Sequence, residues 1–156
     1  MKRLLVFATV VVMAVMVSGL LLAQNSPFVG TWKLNPAKSK FTSGAPAKEE
    51  TATIQMVGDQ DQVTVNGTAA DGSPISMKYE VPEKGGAGKF LTGPYDAVSG
   101  KMIDDNTREL SYMKSGKEMV HLHSVVSKDG KTMRITVKGT NTQGEPVSGV
   151  AVWEKQ

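Results

Sequence analysis

From residue 24 onward the chain is a series of short runs in which apolar and polar side chains alternate. Each run is closed off by Gly, Asp, Asn or Pro, and none repeats its apolar residues at helical spacing. A period of two marks a strand with one buried face. Turn residues at close intervals favour antiparallel neighbours. The runs predict strands over 28–34, 49–57, 62–69, 74–82, 88–92, 97–103, 107–114, 117–127, 131–139 and 146–155. The fold class this implies is all-β, an antiparallel up-and-down barrel of about eight to ten strands. A sandwich is the alternative, because alternation alone does not separate the two.

The turns test the faces. A three-residue loop at Ala70-Asp71-Gly72 pairs Val65 with Met77 and Val63 with Tyr79. Lys114-Ser115-Gly116, read the same way, pairs Leu110 with Val120 and Arg108 with Leu122. A two-residue turn at Asp129-Gly130 pairs Val126 with Met133 and Leu122 with Val137. Each register gathers apolar residues on one face, and a slip of one residue would turn them outward. The expected inward set includes Trp32, Leu34, Ile54, Met56, Val63, Val65, Ile75, Leu110, Val120, Leu122, Ile135 and Val137. Asn35 to Lys48, with Pro36, Gly44 and Pro46, reads as a loop, and Glu83 to Gly88 as a mobile one. An open sheet this long would leave edges unpaired, so closure is the natural arrangement.

The first 23 residues are of another kind. Lys2 and Arg3 precede Leu4 to Leu22, which is apolar apart from Thr9, Ser18 and Gly19. That is the order of a signal peptide, here an N-terminal hydrophobic helix cut after Ala23 or, alternatively, after Gly19. An uncleaved membrane anchor is the competing reading, since the run is almost long enough to span a bilayer. The expected organisation is a signal peptide at 1–23 and one barrel domain at 24–156. The expected address is secreted or periplasmic, with no stable membrane association once the signal is removed.

Removing Lys2 and Arg3 leaves sixteen basic side chains against fifteen acidic ones, and the net charge falls from +3 to +1. A nearly neutral domain without a basic stripe is no candidate for nucleic acid. There is no cysteine, which excludes disulfides, thiolate metal sites and a cysteine nucleophile. The expected state is a monomer.

Phe28-Val29-Gly30-Thr31-Trp32-Lys33-Leu34 resembles the opening strand of the calycins, the lipocalins and fatty-acid-binding proteins. Gly-Thr-Trp-Lys-Leu is similar to the fatty-acid-binding branch, and Trp153-Glu154-Lys155 resembles that branch's closing strand. The string as a whole looks most like exported lipocalin-like proteins of bacteria. The resemblance covers the domain in order and length, but its specific motifs lie at the two ends. It implies that Gly30 and Trp32 are structural, with Trp32 closing one end of a barrel and its indole N–H bonded to backbone. Two departures stand against the fatty-acid branch. Its Arg-x-Tyr carboxylate clamp falls here on Ala151, Val152 and Trp153, and its two-helix lid has no room in Asn35 to Lys48. Any ligand is therefore expected to be neutral and held by apolar contact.

Met77, Tyr79, Tyr112, Met133 and Trp153 are the expected lining of an apolar pocket, or plain core if the barrel is filled. Arg108 shares the parity of Leu110 and Tyr112 and could meet a polar ligand head, but its strand-end position favours the rim. His121 and His123 lie two apart on one strand face, a spacing that can hold a metal, with Glu109 placed opposite His121 and Thr107 opposite His123. Val120 and Leu122 take the inward face, so the histidines are expected in solvent as an ordinary cross-strand polar ladder. No metal or other cofactor is expected. Both histidines sharing one outward face leaves no Ser-His-Asp set, and no enzyme is expected. The reading is an exported lipocalin-like barrel for a small apolar ligand. The alternative is a filled barrel serving as a structural or interaction module.

Overall fold

The computed structural model describes residues 26–156. The expected signal helix at 1–23 lies outside them. Eleven strands follow one another: β1 (Gly30–Leu34), β2 (Lys40–Ser43), β3 (Glu49–Val57), β4 (Gln60–Thr68), β5 (Pro74–Pro82), β6 (Gly85–Thr92), β7 (Ala97–Asp104), β8 (Thr107–Lys114), β9 (Lys117–Val126), β10 (Thr132–Thr140) and β11 (Pro146–Lys155). No helix occurs among the described residues.

From β3 to β11 each strand pairs antiparallel with the next, and β1 joins β3 to β11. The pairings Trp32 with Lys155 and Leu34 with Trp153 close the ring. The sheet is thus an up-and-down barrel and not a sandwich, and closure leaves its main strands no free edge. Side chains of both terminal strands meet at this seam, where Lys155 Nζ lies 5.0 Å from the centre of the Trp32 ring.

Expected and observed registers agree at two turns. Val63 faces Tyr79 and Val65 faces Met77 across the Ala70-Asp71-Gly72 loop. Val126 faces Met133 and Leu122 faces Val137, although that turn is wider than two residues, with Ser127 bonded to Thr132 across it.

The β8–β9 hairpin differs. Ser115-Gly116 forms a two-residue turn, both residues at positive φ, with Lys114 opposite Lys117. An irregularity after Tyr112 then adds one residue on β9, so Tyr112 faces Val120, Leu110 faces Leu122 and Arg108 faces Ser124. The expected pairs Leu110–Val120 and Arg108–Leu122 are each displaced by two. The bulge restores the parity that a two-residue turn would have broken, so the inward set survives the slip.

Two segments read as loops carry strand. Lys40–Ser43 lies along β11, with Phe41 opposite Gly149 and Ser43 opposite Ser148. Gly85 to Gly88, expected to be mobile, is the first half of β6 and pairs with β7 from Gly85–Lys101 to Gly88–Val98. Glycine composition suggested a flexible loop, but here it serves close approach. A Cβ on Gly88 would overlap the Glu80 carbonyl on β5.

The core runs along the barrel axis. Trp32, Leu34, Ile54, Val63, Val65, Tyr79, Leu110, Tyr112, Val120, Leu122, Met133 and Trp153 are buried. Ile75, Met77, Ile135 and Val137 are partly buried against them. Phe28 and Trp32 are fully buried, and the Trp32 indole N–H donates to the Phe28 carbonyl at 2.8 Å. Gly30 has φ +136°, and a Cβ there would come within 2.5 Å of the Lys155 side chain. The Gly-x-Trp segment thus lets the chain fold the indole under Phe28 and seal this end.

Candidate functional site

Above that sealed end the barrel is hollow. A cavity of about 370 Å³ opens between the β4–β5, β6–β7 and β10–β11 loops and the segment Gly44 to Ala47. Its size falls in the range of small-molecule sites. The alternation that makes each strand also makes the wall. Val63 and Val65 from β4, Ile75 and Met77 from β5, Leu110 from β8, Leu122 from β9 and Ile135 from β10 all face it. Phe41 of β2 faces it too, so the short extra strand becomes part of the wall.

All six expected lining residues face the cavity: Met77, Tyr79, Arg108, Tyr112, Met133 and Trp153. They do not face it alike. Tyr79 and Tyr112 form an edge-on pair with ring centres 5.4 Å apart, and the Tyr112 hydroxyl donates to the Tyr79 hydroxyl at 3.1 Å. Phe90 and Tyr95 extend the cluster, each with its ring centre between 5.0 and 5.5 Å from that of Tyr112 or Tyr79. Burial pushes the Tyr79, Tyr95 and Tyr112 phenols up, so all three stay protonated at neutral pH. Trp153 is buried and its indole N–H has no partner among the described residues.

Arg108 is not at the rim. It is 5% exposed and pairs with the buried Asp61 at 2.6 Å. Its guanidinium carbon sits 4.2 Å from the centre of the Phe28 ring. The β7–β8 turn places it at the sealed end of the barrel, where inward parity and depth coincide. Burial raises the Asp61 carboxyl above its usual range, and the Arg108 charge opposes that rise. Asp61 Oδ1 and Arg108 Nε are left without partners among the described residues. The charges cancel, so Arg108 is not free to serve as an anion clamp.

The histidines lie on the outer face, each about two-fifths exposed. Glu109 is opposite His123 rather than His121, and Ser111 is opposite His121. This correction follows from the two-residue turn and the β9 bulge together, each shifting the register by one. Each imidazole has a separate carboxylate, with His121 Nδ1 3.7 Å from Glu118 and His123 Nδ1 3.7 Å from Glu109. Among the described residues no three His, Cys, Asp or Glu side chains gather as a metal site.

Among the lining residues that the sequence expectations lacked, one is charged. Glu50 faces the cavity from the start of β3. No ion pair or side-chain hydrogen bond reaches it among the described residues. Burial pushes its carboxyl up to about 7. Its charge acts on Tyr79 and Tyr112. The signal was legible, since Glu50, Ala52 and Ile54 share one parity. A charged residue at a strand start reads as rim, however, and that reading hid it. Asp61 was missed for a related reason, because the strand was expected to begin one residue later.

No protein-family model matches the chain, and neither does any curated protein. Solved structures similar in shape include the following three. A zebrafish ileal bile-acid-binding protein complexed with cholic acid matches with TM-score 0.49 at 16% identity, over 84% of this chain and 100% of that one. Lobster apocrustacyanin A1 matches with TM-score 0.41 at 10% identity, over 86% of this chain. Apocrustacyanin C1 matches with TM-score 0.41 at 10% identity, over 87%. This chain spans 63% of the A1 chain's length and 64% of the C1 chain's. The class itself rests on the strand order: a closed, antiparallel, up-and-down barrel with a hollow interior.

Proposed function

We propose that this protein is an exported, non-enzymatic carrier that holds one small, mainly apolar molecule inside its barrel. The observation that carries the reading is the cavity, about 370 Å³ and walled by apolar side chains on most strands. A barrel acting only as a structural module has no use for such a space, and leaving it empty forfeits packing contacts along its wall. The Gly-Thr-Trp strand and the closing Trp-Glu-Lys support a calycin-like carrier, and residues 1–23 support secretion or delivery to a periplasm. The domain works as a monomer, without cofactor or nucleic acid.

Native mass spectrometry of protein purified from its own host, with calorimetric titration of decanol, tests this. The expected result is a retained small molecule, or saturable one-to-one binding of decanol. Ala52→Trp, which projects an indole into the cavity, should abolish binding while the barrel still melts cooperatively. If no molecule is retained and no saturable heat is seen, the reading is overturned.

A further inference from the structure

The cavity wall holds two charged side chains, Arg108 and Glu50. Arg108 is spent on Asp61. Glu50 has no such partner among the described residues and looks into a space otherwise lined by apolar groups and tyrosines. We infer that the ligand is an amphiphile with a single protonated amine head, seated so that its ammonium meets the Glu50 carboxylate beside the tyrosine rings and its apolar body fills the barrel. The inference rests on the carrier reading and names the ligand class for that same cavity.

Three observations converge. With Arg108 and Asp61 cancelling, an ionised Glu50 leaves the interior one negative charge, which a cation neutralises and an anion doubles. Tyr79, Tyr95 and Tyr112 also line the cavity, and an ammonium near such rings gains from their negative faces. The position of Glu50 is the third. It is the second residue of β3, three residues after Ala47, and Gly44 to Ala47 line the cavity. A head group held there lies near the entrance while an alkyl or ring body reaches down towards Leu110 and Met133. The fold already bears the cost of keeping a carboxylate out of water, so a cation recovers free energy that a neutral head does not.

The test compares decylamine, decanol and decanoate, which share a chain and differ in the head. Isothermal titration at pH 8 is run on the full chain and on Glu50→Gln. The expected result is that the wild type binds decylamine at least about tenfold more tightly than decanol, with decanoate weakest. Glu50→Gln should bring decylamine down to the affinity of decanol and leave decanol within about twofold. Decanol binding as tightly as decylamine to the wild type would overturn the inference and leave the carrier reading standing. A decylamine preference that survives in Glu50→Gln would also overturn it. If none of the three binds, the carrier reading falls and the inference falls with it. The wild-type comparison decides even if the variant does not fold.

Discussion

Glu50 and Asp61 are both acids on inward faces, and they resolve burial in different ways. Asp61 has Arg108, while Glu50 keeps its proton to a higher pH. The Glu50 carboxyl rises from its usual 4.5 to about 7 in the fold. Between those values the folded chain keeps the proton that the unfolded chain loses. Stability should therefore fall as pH rises through that window, by up to about 3 kcal/mol, and level off above it. Glu50→Gln should show no such fall, as read by urea denaturation from pH 4.5 to 8. The Asp61–Arg108 pair makes a different prediction. Asp61→Ala leaves a buried guanidinium uncompensated and should destabilise by about 3–5 kcal/mol, with a correspondingly lower melting temperature. Asp61→Leu combined with Arg108→Met should recover most of that loss. A double variant no more stable than the single one would show that the pair supplies something beyond mutual compensation.

The strands were legible wherever one face is apolar and the other wet, since period two is then visible in the chain. β4, β5 and β10 came out in the right register for that reason. β2 was not legible, because four residues between Pro36 and Pro46 have no period to read and owe their strand form to β11. The first half of β6 was hidden by glycines that serve packing rather than flexibility, while its second half fell within the expected strand 88–92. In the β8–β9 hairpin the turn and the bulge offset one another, so the faces were right and the partners wrong. That turn also offers a way to stabilise the domain. Ser115 is the one non-glycine residue at positive φ among the described residues, at 50° beside Gly116 at 76°. Asn tolerates this conformation better, and Asn-Gly is the favoured pair for such a turn. Ser115→Asn should raise stability by about 0.5–1 kcal/mol in thermal or urea melts.

At the scale of the whole molecule, closure does the work that disulfides do in many exported domains. Without cysteine, stability rests on the ring of strands and on what fills it. A hollow barrel forgoes part of its own packing, and a bound molecule restores it. A ligand at a hundred times its dissociation constant should therefore raise the unfolding free energy by about 2.7 kcal/mol. The same concentration should leave Ala52→Trp unmoved. The barrel class was readable from alternation and turns. The hollow interior was not, since the same side chains could have packed solid, and the number and stagger of the strands around the ring, which set its width, decide between the two.

The two tryptophans sit in opposite surroundings. Trp32 is sealed beneath Phe28 with Lys155 over its ring, whereas Trp153 lines the cavity with its indole N–H unsatisfied. The protein therefore carries a built-in optical gauge. Occupancy should shift and rescale the emission of Trp153 while Trp32 supplies a constant background. In Trp153→Phe the selectively excited tryptophan emission should no longer respond to a ligand, even one that calorimetry still detects.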